Sequence, residues 1–140
     1  MTIKIITIGK ISLKPVKALV EDYLGRIQHY LPTQLVNFKS LDDYFKKSNP
    51  QEFLVILDEK GQSLTSPELA KWLEDKKMRS IKSLAFLVGP GEGLSDAIKK
   101  RAQFVLSLSK MTLQHELALV VLLEQIYRAC TILKGEPYHK

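Results

Sequence analysis

Apolar residues along this chain follow two periods. Five short runs are apolar or β-branched almost without interruption. The segments between them repeat their apolar residues every three or four positions. Thr2 to Ile8 is the first run; it is bounded by Gly9 and predicts a strand buried on both faces. From Leu13 to Leu31, the residues Val16, Leu19, Val20, Tyr23, Leu24, Ile27, Tyr30 and Leu31 form one helical stripe, which Pro32 stops. His29 falls on the polar side and is expected in solvent. Thr33 to Phe38 predicts a second strand. Leu41 to Ser48 predicts a weak helix anchored by Tyr44 and Phe45 and broken at Asn49-Pro50.

Glu52 to Leu57 predicts the third strand, with Asp58-Glu59-Lys60-Gly61 turning out of it. A helix is expected next, with Ser66 as N-cap, Pro67 at its first position, and Leu69, Trp72 and Leu73 inward. Ser83 to Val88 is the fourth strand candidate and leads into Gly89-Pro90-Gly91-Glu92-Gly93; a short helix starts at Ser95-Asp96. Gln103 to Leu108 is the fifth, and Thr112 or Glu116 begins the last helix. Strictly alternating strands and helices, with doubly apolar strands, predict an α/β fold. The sheet is mainly parallel, has helices on both faces, and forms one domain over residues 1–140.

The last helix changes the picture. Between Leu117 and Leu133 it is apolar nearly all round, apart from Gln125 and a stripe of Glu124, Arg128 and Thr131 at i, i+4 and i+7. Such a helix is hard to cover with the chain's own residues, so a homodimer is expected.

Composition narrows the class further. With 45% hydrophobic and 26% charged residues over 140 positions, the chain can bury a core and is not disordered. A formal charge of +6 favours an anionic partner, although a merely basic soluble protein accounts for it equally well. One cysteine, Cys130, excludes an internal disulfide, and its apolar surroundings predict an inert thiol. His29, His115 and His139 lack metal-ligand spacing, so no metal is expected. The opening MTIKIITIGK alternates instead of forming a basic leader and apolar block. No apolar run approaches the ~20 residues of a membrane span. A cytoplasmic protein without membrane contact is the expectation.

Candidate chemistry clusters in the second half. The glycine run is neither a Walker A loop nor GxGxxG. It reads equally as a tight strand-to-helix turn or as a small-molecule site where a ligand meets the backbone. Ser107, Ser109 and Thr112 lack a nucleophile elbow and are read as holding a loop by local hydrogen bonds. Lys99-Lys100-Arg101 is a solvated helix face or a set of phosphate contacts. The terminal Tyr138-His139-Lys140 is either a frayed end or an unusually reactive one.

LVGPGEGLS (Leu87 to Ser95), SLSKMT (Ser107 to Thr112), the following His115, EQIYRA (Glu124 to Ala129) and the ending EPYHK together resemble the RlmH family. Its members are large-subunit ribosomal RNA pseudouridine N3 methyltransferases of the SPOUT class. The resemblance extends over the whole chain, including TIKIITIGK and LDEKGQSLTSPELA. It implies S-adenosylmethionine as cofactor, a homodimer, and a C-terminal trefoil knot beside the cofactor. By position, cofactor contacts are expected at Leu57, Gly89, Leu108, Ser109, Lys110, Met111, Thr112 and Leu113.

The same resemblance makes His139 the expected proton acceptor, with Tyr138 orienting the base and His115, Arg128 and Lys140 on the substrate side. The expected partner is large-subunit ribosomal RNA within the ribosome. The rival reading is a basic dimeric RNA- or ribosome-binding module without catalysis. Three positions depart from the family pattern: Pro90 for a glycine, Gln114 for a proline, and Leu119 for an arginine that could contact RNA.

Overall fold

A computed structural model describes all residues from Met1 to Lys140. Five strands form one sheet: β1 (Thr2–Ile8), β2 (Thr33–Phe38), β3 (Phe53–Ser63), β4 (Ser83–Val88) and β5 (Phe104–Ser107). Their order across the sheet is β2-β1-β4-β3-β5, and every neighbouring pair is parallel. All five carboxyl ends therefore leave the sheet along one edge, where open α/β sheets place their ligands.

Side-chain alternation divides the strands between two layers. Ile3, Ile5, Val55, Leu84 and Phe86 join a large core with α1 (Lys14–Gln28), α3 (Ser66–Met78) and α5 (His115–Lys134). Ile6, Leu54, Ile56, Ala85 and Leu87 point the other way. They meet α2 (Leu41–Lys47) and α4 (Asp96–Lys99) through Tyr44, Leu41, Phe45, Leu94 and Ile98. Trp72 of α3 closes the first layer with its ring 5.2 Å from Phe104 and 6.0 Å from Phe53.

Several boundaries differ from the sequence pattern, each for a local reason. The charged stretch after Leu57 does not turn out of the third strand. It continues β3 to Ser63 along β5, with a register shift between Leu57 and Gln62. Gly61 allows this, because a Cβ there would stand 2.6 Å from the Val105 carbonyl oxygen. In α3 the N-cap is Thr65, not Ser66. The Thr65 hydroxyl accepts from Glu68 N and the Glu68 carboxylate accepts from Thr65 N, a capping box. Ser66 instead donates its hydroxyl to Gln125 Oε1 at 2.6 Å, tying α3 to α5. Leu19, placed by periodicity on the inner stripe, is exposed.

Helix α5 is largely covered within its own chain. Leu119, Leu122, Leu123, Ile126, Ala129 and Cys130 are buried in the first layer with residues of α1 and α3, while Leu117 and Leu133 stay exposed. Its polar stripe is incomplete: Glu124 and Arg128 pair at 3.1 Å, but Thr131 is fully buried and donates to the Arg128 carbonyl. Burial pushes the Cys130 thiol up to about 11, which leaves it a packing residue.

Glu116, considered from sequence only as a start of the last helix, lies in the first turn of α5. It is buried, and its carboxylate accepts from Leu13 N (3.0 Å), Ser12 N (3.1 Å) and Ser12 Oγ (2.8 Å). The backbone bond from Leu13 is foremost in holding this carboxyl below its ordinary value of 4.5, against the opposing effect of burial. The group thus pins the β1–α1 connection to the start of α5.

Two predictions test these local devices. Gly61→Ala should destabilise the fold by about 1–3 kcal/mol in urea unfolding, because the clash is with backbone. Glu116→Gln should lower the unfolding midpoint at neutral pH and flatten its acid dependence. The wild-type carboxylate stabilises the fold above its unfolded value of 4.5, and that contribution is lost as the pH falls through the lower folded value. Parallel wild-type and variant curves between pH 3 and 7 would show that Glu116 carries no linked stability.

Candidate active site

Three chain segments meet at the carboxyl edge of the sheet around a cleft of about 310 Å³. This is the low end of the range for small-molecule sites. Leu57, Asp58 and Glu59 come from the irregular middle of β3. Val88 to Gly91, Gly93 and Leu94 come from the turn after β4. Leu108, Ser109 and Met111 to His115 come from the loop after β5, with Ala118 of α5 behind them. The adjacency of β4 to β3 and of β3 to β5 creates the convergence.

Close backbone approach builds the glycine side of the cleft. A Cβ on Gly89 would lie 2.9 Å from Leu94 Cγ, and one on Gly91 would lie 3.2 Å from His115 Nδ1. Gly93 has φ +85° and donates its N–H to the Pro90 carbonyl at 2.9 Å, which closes the turn. Ser95 then caps α4 by accepting from Ile98 N.

The opposite wall is held by short hydrogen bonds of the kind its Ser-rich sequence suggests. Ser107 Oγ donates to the Ser109 carbonyl at 2.9 Å, and Ser109 Oγ accepts from Met111 N at 3.0 Å. Gln114 is the N-cap of α5, its Oε1 accepting from Glu116 N (2.8 Å) and Leu117 N (3.0 Å). The helix therefore begins at His115, between the two starts considered from sequence. A proline at position 114 could not supply this cap, so Gln114 does local structural work of its own.

Of the expected cofactor contacts, Leu57, Gly89, Leu108, Ser109, Met111, Thr112 and Leu113 all line the cleft. Lys110 does not; it is exposed beside the lining residues. Met111 is 77% exposed at the rim. His115 forms part of the wall, with Nε2 3.9 Å from the Glu116 carboxylate. Asp58 and Glu59 are lining residues that the pattern missed, since charged residues after a strand look like a solvent turn. Asp58 is tied to Lys99 of α4 at 3.4 Å, and Lys99 also reaches Asp96. Burial lowers the Lys99 pKa, but its hydrogen bonds to Asp96 and Asp58 prevail and hold it above the ordinary value.

Tyr138, His139, Lys140 and Arg128 do not line this cleft. The tail instead folds over α5. The Tyr138 ring packs edge-on to Tyr127 with centroids 4.7 Å apart, under the Arg128 guanidinium at 4.7 Å. Arg128 Nη1 lies 3.1 Å from His139 Nδ1 while its Nε donates to Glu124. Burial, and then a hydrogen bond with Tyr23, raises the Tyr138 phenol above its usual value, so it stays protonated at neutral pH. Leu119 is buried among core residues and cannot reach an RNA phosphate, so an external contact at this position is not available to the chain. No group of three or more His, Cys, Asp or Glu is placed to hold a metal, and no helix is long and apolar enough to cross a membrane.

The whole chain is similar to known proteins. A family model described as "Predicted SPOUT methyltransferase" matches residues 1–139. The chain is 41% identical over 140 residues to ribosomal RNA large subunit methyltransferase H of Coprothermobacter proteolyticus, covering all of both chains. It is 40% identical over 143 residues to the protein of that name from Koribacter versatilis, covering 99% of this chain and 98% of that one. Among solved structures, a probable methylase family protein from Haemophilus influenzae has a similar fold. Its TM-score is 0.57 at 14% identity, over 99% of this chain and 70% of that one. With its parallel sheet, the cleft at the carboxyl edge and this end-to-end match, the chain belongs to the SPOUT methyltransferase family.

Proposed function

We propose that the chain transfers a methyl group from S-adenosylmethionine to N3 of a pseudouridine in large-subunit ribosomal RNA, working as a homodimer in the cytoplasm. One observation carries this reading. The glycine turn after β4 and the Ser107–His115 loop, remote in sequence and both part of the family pattern, face each other across one cleft. The relatives that match end to end are named large-subunit ribosomal RNA methyltransferases, and a +6 charge suits a polyanionic substrate.

The cleft fits the donor chemically. Leu57, Leu108 and Leu113 offer apolar cover for a planar base, and glycines 89 and 91 leave backbone where side chains would intrude. S-adenosylmethionine supplies a methyl group made electrophilic by its sulfonium charge. Threading of the C-terminal segment into a trefoil knot belongs to the same reading.

The chain's own residues have to position the base and remove a proton, because N3 of pseudouridine is an imide nitrogen and reacts as its anion. In this reading His139 accepts that proton, Tyr138 orients the base through its ring and hydroxyl, and His115 shapes the cleft wall. Arg128 and Lys140 hold the substrate side, and Lys110 offers an exposed cation on the Ser107–His115 loop. Since Tyr138 and His139 lie outside the cleft of their own chain, the tail of one subunit serves the cleft of the other. The half-buried Val120 and Val121 and the exposed Leu117 of α5 leave apolar surface for such a partner.

The test is methyl transfer to ribosomes that lack the modification, followed by mass spectrometry of the nucleosides. Wild-type protein should yield N3-methylpseudouridine. Deleting Tyr138 to Lys140 should lower the rate at least ~100-fold, the scale of a lost general base, with S-adenosylmethionine affinity changed less than about two-fold. Full activity after truncation would remove the tail from the chemistry. A protein that binds ribosomes but neither binds nor uses the donor would be the non-catalytic module instead.

A further inference from the structure

The chain has four arginines, and three are neutralised within the fold. Arg26 pairs with Asp22, Arg79 with Asp75, and Arg128 with Glu124, each at 3.0–3.1 Å. Arg101 alone has no carboxylate partner. Its guanidinium lies over the Phe45 ring, 3.8 Å from the centroid, and the side chain donates no hydrogen bond within the protein. An arginine held over an aromatic face keeps its donors free and has less conformational freedom to lose on binding. That is the arrangement needed for a bidentate phosphate contact.

Arg101 is not isolated. It bridges the two small helices that cover one face of the sheet, directly after α4 and against Phe45 of α2. Lys100 beside it, Lys46 at the end of α2 and Lys39 after β2 are exposed, and none has a carboxylate within ion-pair distance. The neighbouring Lys47 and Lys99 are already neutralised by Asp43 and by Asp58 with Asp96. The surface therefore divides into cations that hold the fold and cations left without a partner. It is also continuous with the cleft. Leu94 lines the cleft one residue before the α4 cap, and Lys99 grips Asp58 in the cleft wall.

We infer that the α2–α4 face is a docking track for the RNA backbone. Arg101 is its fixed phosphate contact, and Lys100, Lys46 and Lys39 flank it. Nucleotides next to the one in the cleft would run across this face. The inference rests on the proposed RNA substrate and adds where that RNA lies.

The experiment measures affinity for unmodified large ribosomal subunits against salt concentration. The wild type is compared with an R101Q/K100Q/K46Q variant and with a K71Q/K77Q/K82Q variant, which loses the same charge from α3 and the connection to β4. Calorimetry with S-adenosylmethionine checks that each variant keeps its cleft. The first variant should bind at least ~10-fold more weakly at moderate salt, and its log–log salt slope should fall by about 2–3, close to one per lost phosphate contact. The second should keep the wild-type slope. Equal slopes for all three proteins, or equal losses in both variants, would overturn the track. A benzophenone attached at K100C should cross-link to RNA; cross-linking only to ribosomal protein would also overturn it. If the wild type itself fails to bind subunits, the RNA reading fails and takes the track with it. Wild-type binding with an unaffected first variant would sink the track alone.

Discussion

The parallel pairing of β4 with β1 and β3 is the constraint on which the other features depend. Leu84, Phe86 and Val88 enter one core layer while Ala85 and Leu87 enter the other, so β4 is apolar on both faces and must be central. With β4 fixed in register against Val55 and Ile56 of β3, the glycine turn emerges beside Leu57 and Asp58. The pairing of β3 with β5 then brings the Ser-rich loop to the same edge. A cleft made from three distant segments is thus a consequence of strand order, and none of its walls depends on a long-range side-chain contact alone.

A second level of constraint fixes the cleft's far wall. α5 cannot shift along the sheet, because its core residues interlock with α1 and α3 and its first turn is held from two sides. Gln114 caps its N-terminal N–H groups, and Glu116 takes three hydrogen bonds from the β1–α1 connection. His115 sits between these two anchors. Its position against Gly91 is therefore set by the helix start, which is the kind of support a precise site requires.

Much of this was legible in the sequence because burial on both faces leaves an unambiguous signal. The strand cores and the amphipathic α1 follow from apolar spacing, and the Ser107–His115 loop, expected at the site from the family resemblance, lines the cleft. What escaped depends on pairing, not on periodicity. The extension of β3 through Asp58 to Ser63 is polar and is stabilised by β5, whose neighbourhood no local pattern reports. Sequence places the α3 cap at Ser66, whereas the reciprocal bonds between Thr65 and Glu68 put it one residue earlier. The all-round apolarity of α5 does not say which residues cover it; α1, α3 and the sheet bury most of it, and Leu117 and Leu133 stay exposed. Leu119 looked like a lost RNA contact and is a core residue. The tail is the reverse case, named from the resemblance and then found resting on Tyr127 and Arg128 outside its own cleft.

Amide resonances followed during titration with S-adenosylmethionine show whether the three converging segments hold the donor, as proposed. Saturable shifts are expected at Leu57, Gly89, Gly91 and Leu108 to Leu113, with α2 and the α3 surface unmoved. Saturation with shifts confined to residues outside these segments, or no saturation at millimolar donor, would contradict the proposal.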